Sequence, residues 1–181
     1  MIYTTFTMIS NTSKTQRQPL RNRIYRPHIR LLAAVIMMCF MTGVNAQADE
    51  AGRRRNFNTE NGVALREFDP VSYFNSSRPL KGHSKLYHNY KGITYYFVNA
   101  ENLEEFKKSP DKYEPAYGGW CAYTVALNGE RVKVNPVTYK IVNGKLHLFY
   151  NFNSDNRLTK WNKDEKKFIA SGNRNWVARM H

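Results

Sequence analysis

The chain has 181 residues, 28 of them Lys or Arg against 14 Asp or Glu, for a formal net charge of +14. Such an excess suits contact with anionic surfaces or acidic partners, by steering rather than by specificity. Nucleic acid is not expected, because neither a recognition-helix pattern nor an aromatic RNA-binding signature is present.

Residues 1–30 carry six basic side chains and no acidic one, and Leu31 to Val44 follow without a charge. Val44-Asn45-Ala46 then offers small or modest side chains where a signal peptidase cuts. The order of basic region, apolar region and cleavage site predicts a signal peptide over residues 1–46 and an exported protein. The apolar run falls short of the roughly 20 residues a membrane-spanning helix needs, so no stable transmembrane segment is expected after cleavage. The remaining length fits one domain. Cys121 is its only cysteine, so no intrachain disulfide can form.

Residues 47–62, with Arg53-Arg54-Arg55 and few large apolar side chains, read as a flexible lead-in, and the domain is expected over residues 63–181. Lys85 to Tyr90 and Ile93 to Val98, rich in aromatic and β-branched residues and separated by Lys91-Gly92, predict a β-hairpin. Asn99 should cap a short helix from Ala100 to Lys108, acidic early and basic late, which Ser109-Pro110 stops; Ala100, Leu103 and Phe106 mark its packing face. Tyr139 to Val142 and Lys145 to Tyr150 flank Asn143-Gly144, the signature of a type I′ hairpin. Ser154 is expected to cap a last helix through Leu158, Trp161, Phe168 and Ile169, ending at Ser171-Gly172, with Trp176 packed on the core. The fold class is therefore α+β: two hairpins with short helices on them, in a single domain.

The ordered set Phe68-Asp69-Pro70-Val71-Ser72-Tyr73-Phe74, Tyr90-Lys91-Gly92, Tyr95-Tyr96-Phe97 and Pro110-Asp111-Lys112-Tyr113 resembles the YHS domain family. Tyr117-Gly118-Gly119-Trp120-Cys121-Ala122-Tyr123, Asn135-Pro136 and Trp161 look like its exported branch of small bacterial proteins. That resemblance implies a hairpin-and-helix unit similar to treble-clef domains, a periplasmic location and a link to metal handling. This chain departs from the metal-binding relatives: Ser72 stands where they carry a cysteine, and Val98, Asn99 and Leu103 stand around the second cysteine position. These residues cannot build a four-thiolate zinc site.

The chemistry that remains centres on Cys121 within the tyrosine-rich segment. The expected function is a binding domain, with Tyr117, Gly118, Gly119, Trp120 and Tyr123 around a metal ion or small ligand. Copper or zinc could be held by Cys121 with His83 or His88, given the softness of those donors. Two alternatives stand beside it: a redox protein using the Cys121 thiol, and a basic module docking on an anionic envelope surface. Asp69, ahead of a proline, reads as a backbone cap rather than a general base. His147, between Leu146 and Leu148, reads as a surface or packing residue. No motif asks for an enzyme.

Overall fold

A computed structural model describes residues 49–180; the predicted signal peptide, residues 1–46, lies outside them. Residues 49–56 are helical (α1), and Phe57 behind them is buried. β1 (Thr59–Glu60) and β2 (Val63–Ala64) then pair across an Asn61-Gly62 turn with φ of 52° and 79°. From residue 49 onward the expected lead-in is thus an ordered edge of the domain. Its anchors are distant: Arg53 pairs with Glu114, and Asn58 bonds through its backbone N–H to the Gly118 carbonyl at 2.8 Å and through its amide to the Gly119 carbonyl at 3.0 Å. Nothing in the local composition announces such partners.

A short helix, α2 (Ser72–Asn75), precedes the first hairpin, β3 (His83–Tyr90) and β4 (Ile93–Phe97). Lys91 and Gly92 turn between the two strands with φ of 47° and 82°. Ile93, Tyr95 and Phe97 are buried while Thr94 and Tyr96 are partly exposed, the period of two that a one-sided sheet imposes. The sheet runs β1-β2-β4-β3, with β2 parallel to β4. Asn99 caps α3 (Ala100–Lys108), its side chain accepting from the Asn102 N–H at 2.8 Å. Phe106 packs on Tyr95 and Phe97, but the other buried position of α3 is Asn102, and Ala100 is exposed. Asn102 turns inward because its amide donates to Asp69 at 2.7 Å.

Pro110 opens α4 (Pro110–Tyr113); a tight 3-10 turn over Ala116–Gly119 leads to α5 (Ala122–Asn128). The second hairpin, β5 (Asn135–Val142) and β6 (Lys145–Phe149), forms around Asn143-Gly144 with φ of 51° and 72°, as a type I′ turn requires. A small third hairpin follows, β7 (Asn151–Phe152) and β8 (Asp155–Asn156). Ser154 sits in its turn at φ 64° and caps no helix; Asn156 caps α6 (Arg157–Trp161) instead. A separate helix, α7 (Glu165–Met180), runs straight through Ser171-Gly172. Gly172 does not end it. A Cβ there would lie 2.7 Å from the Tyr117 hydroxyl, so the missing side chain lets α7 cross the Tyr117 turn.

β6 is buried on both faces and divides the interior. Leu146 and Leu148 join the core of the first sheet, with Phe97, Phe106 and Tyr113, while Phe149 joins Trp161, Tyr117 and the inner face of α5. Trp176 packs against both clusters. Among the described residues no helix is long and apolar enough to cross a membrane.

Candidate functional site

The segment Tyr117-Gly118-Gly119 turns left-handed, with φ of 54°, 58° and 82°. For Tyr117 that conformation costs about 1–3 kcal/mol, so its surroundings must hold it there. A Cβ on Gly118 would fall 2.8 Å from the Trp176 ring and 3.1 Å from the Phe57 backbone, so only glycine admits both neighbours. The turn aims the Tyr117 ring edge-on at His147, with centroids 5.7 Å apart, and its hydroxyl donates to Asn173 Oδ1 at 3.1 Å. Burial pushes that hydroxyl up to about 12, so it stays protonated at neutral pH.

These side chains form one wall of a cleft of about 380 Å³, between Arg53 and Phe57, the stretch from Glu114 to Gly118, the turn end of the second hairpin, and Ile169, Asn173 and Trp176 of α7. Its size lies at the small end of the roughly 300–1,000 Å³ typical of ligand sites. Glu114, only 6% exposed, is its central polar group. One oxygen, Oε1, accepts from the Tyr95 hydroxyl and from Arg53 Nη2, each at 2.5 Å. Burial and the Glu114 charge hold the Tyr95 hydroxyl well above its usual range, so it remains a donor. Arg53 also donates Nε–H to the Lys91 carbonyl at 3.1 Å, and its guanidinium lies 4.3 Å over the Phe57 ring.

Among the described residues, the other oxygen, Oε2, has no hydrogen-bond partner. No sealed side-chain nitrogen or oxygen among the described residues lacks a partner. Oε2 is therefore not sealed from solvent, and the Glu114 side chain lines the cleft. The same reasoning applies to His147, which is 5% exposed. Its Nδ1 lies 3.0 Å from the Lys145 carbonyl, and a carbonyl can only accept, so Nδ1 carries the hydrogen and Nε2 presents a bare lone pair. Burial lowers its pKa, which favours that neutral form. The cleft thus offers two unbonded acceptors, Glu114 Oε2 and His147 Nε2, among aromatic walls.

Of the residues singled out by sequence, Tyr117 and Gly118 line the cleft and Gly119, Trp120 and Tyr123 do not. Trp120 turns its indole N–H to the Asn56 carbonyl at 2.6 Å, Tyr123 packs edge-on against Phe168, and the Gly119 carbonyl serves Asn58. Cys121 is fully buried at the start of α5, and its sulfur accepts the Tyr150 N–H at 3.4 Å. His83 and His88 lie on β3 of the first sheet; His88 packs edge-on against Phe106, and His83 lines a separate hollow with Glu67, Ser84, Lys85 and Tyr96. The three expected copper or zinc donors do not converge. Among the described residues no group of three or more His, Cys, Asp or Glu is placed to hold a metal ion. The copper or zinc site expected from Cys121 with His83 or His88 is therefore not assembled among the described residues.

Sequence reasoning placed neither Arg53 nor Glu114 at a site, expected Trp176 only as a core residue, and read His147 as a surface or packing residue. Glu114-Pro115 directly before the tyrosine-rich segment was the one available signal, since a carboxylate beside bulky aromatics is rarely idle. Compared with known proteins, the chain matches no family profile, no curated protein and no solved structure.

Proposed function

We propose that this chain is an exported, YHS-type α+β domain that binds a small, partly apolar ligand in the cleft between Arg53, Glu114, Tyr117, His147 and Trp176. The motif order supports the YHS likeness, and the leader pattern of residues 1–46 supports export. The binding reading rests on one observation: two side chains that line an aromatic cleft of ligand size, Glu114 and His147, each keep an acceptor, Oε2 and Nε2, with no hydrogen-bond partner among the described residues. Both atoms are open to water, and a ligand with N–H or O–H donors can replace that water at both at once. A rigid frame is also present, because Tyr95, Arg53, Asn173 and the Lys145 carbonyl fix Glu114, Tyr117 and His147 before anything binds.

Catalysis has less to work with. No Ser, Thr or Cys lines the cleft, so a nucleophile of those three types is missing from it. Cys121 is fully buried, which disfavours thiol exchange with outside partners.

A fragment screen by saturation-transfer NMR tests the binding reading, run on the wild type and on Val142→Trp, which puts an indole at the cleft wall. Fragments that bind the wild type and are lost in Val142→Trp, with the thermal transition retained, are the expected result. Fragments that bind both proteins equally would place ligands elsewhere and overturn it.

A further inference from the structure

The charges around the cleft restrict what can enter it. Arg53 and Glu114 form a pair at 2.5 Å, with side chains 11% and 8% exposed, and their charges cancel toward any occupant. His147 contributes no charge in the tautomer that the Lys145 carbonyl fixes. Lys145 is different. Its ammonium donates to the backbone carbonyl of Asp111, and among the described residues it has no carboxylate partner. One uncompensated positive charge therefore remains on the lining.

A ligand that brought only a negative charge would satisfy Lys145 and leave Glu114 Oε2 and His147 Nε2 facing it as acceptors. A ligand that brought only a positive charge would meet net repulsion. Both acceptors call for N–H or O–H donors. Phe57, Tyr117 and Trp176 supply flat walls, and a volume of about 380 Å³ suits a substituted single ring.

Resting on the binding reading above, we infer that the cleft selects a small aromatic monoanion that also carries a hydrogen-bond donor, as a hydroxylated aromatic carboxylate does. The anionic group lies at Lys145, the ring between the aromatic walls, and the donor at the Glu114 and His147 acceptors.

Calorimetric titration of the purified chain with four single-ring probes tests this: 4-hydroxybenzoate, benzoate, 4-hydroxybenzyl alcohol and 4-hydroxybenzylamine. 4-Hydroxybenzoate should bind most tightly, with benzoate and the alcohol each weaker by about tenfold, the scale of one lost charged or polar contact, and the amine weakest. Lys145→Met should cost the two carboxylates about tenfold and leave the alcohol unchanged. His147→Phe should weaken the hydroxylated probes and spare benzoate. If the alcohol or the amine equals 4-hydroxybenzoate in the wild type, the ligand class is overturned while the cleft remains a binding site. If none of the four binds, the class and the cleft reading fall together.

Discussion

Two buried carboxylates in this domain look alike by burial and differ in everything else. Asp69, fully buried, accepts from the Val71 N–H at 2.8 Å and the Ser72 N–H at 3.3 Å through one oxygen, and from the Val98 N–H at 3.0 Å and the Asn102 amide at 2.7 Å through the other. Every donor is neutral, both oxygens are used, and the group ties the loop before α2 to β4 and α3. Glu114, which lines the cleft, engages a cation and a phenol through one oxygen and leaves the other without a partner among the described residues. A saturated carboxylate is a structural rivet, while a half-used one beside a cavity is a place for something to bind. Burial alone separates nothing.

The comparison can be broken most directly at Asp69. Asp69→Ala removes the acceptor of four donors, three of them without another partner among the described residues, and should cost about 4 kcal/mol in urea denaturation, the scale of losing a buried network. A loss below about 1 kcal/mol would show that water or rearrangement replaces the network. Glu114→Ala should cost less, about 2 kcal/mol, because it orphans the buried Tyr95 hydroxyl while the cleft lets water reach Arg53, yet it should abolish ligand binding. If Asp69→Ala weakened binding as strongly at equal folded population, the division between rivet and site would be wrong.

Gly172→Ala sharpens the comparison from the other side of the cleft. The new Cβ would meet the Tyr117 hydroxyl at 2.7 Å and its ring at 2.8 Å, so Tyr117 must shift. The gain in helix propensity offsets part of the strain, leaving a net loss of about 1 kcal/mol with a clear loss of binding. At Gly144, by contrast, an added Cβ meets nothing within 4 Å, and only the φ of 72° resists it. Gly144→Ala should cost about 1 kcal/mol and leave binding intact.

The smallest effect is that of pH on His147. Burial lowers its pKa in the folded protein, opposed by the Lys145 carbonyl and Glu165, while Lys145 and Lys140 reinforce the fall. A histidine whose folded pKa lies below its unfolded value takes up a proton on unfolding. Its contribution is therefore complete above the ordinary histidine range and is lost as pH falls through that range toward the depressed value. Urea midpoints should decline between neutral pH and about pH 5 more steeply in the wild type than in His147→Gln. Parallel curves would mean that His147 does not titrate as its burial requires.

Much of the frame was legible because it is local. Lys91-Gly92 and Asn143-Gly144 mark their hairpins by backbone chemistry, Asn99 caps α3 across three residues, and Asp69-Pro70 announces a cap that the structure supplies. Ser154 and Ser171-Gly172 misled for the converse reason: the same residue types serve a hairpin turn and a helix crossing, and only the Tyr117 ring distinguishes a helix-ending glycine from an interior one. For His147 the packing alternative holds, and alternation along a single strand could not decide it because β6 is covered on both faces. The cleft itself was hidden by sequence distance. Arg53 and Glu114 are 61 residues apart, and Tyr117 and Asn173 are 56 apart. Composition drew attention to Cys121 as the sole thiol, but its surroundings make it a packed core residue.

His147 is proposed to present a bare Nε2 to the cleft, and long-range ¹H–¹⁵N correlation of the histidine imidazoles reads that atom directly. With His147 assigned by its absence in His147→Gln, the account predicts a neutral ring at pH 7, protonated on Nδ1, whose Nε2 resonance moves on addition of 4-hydroxybenzoate. An Nε2 that carries the proton, or one that stays still while the probe is bound, would contradict it.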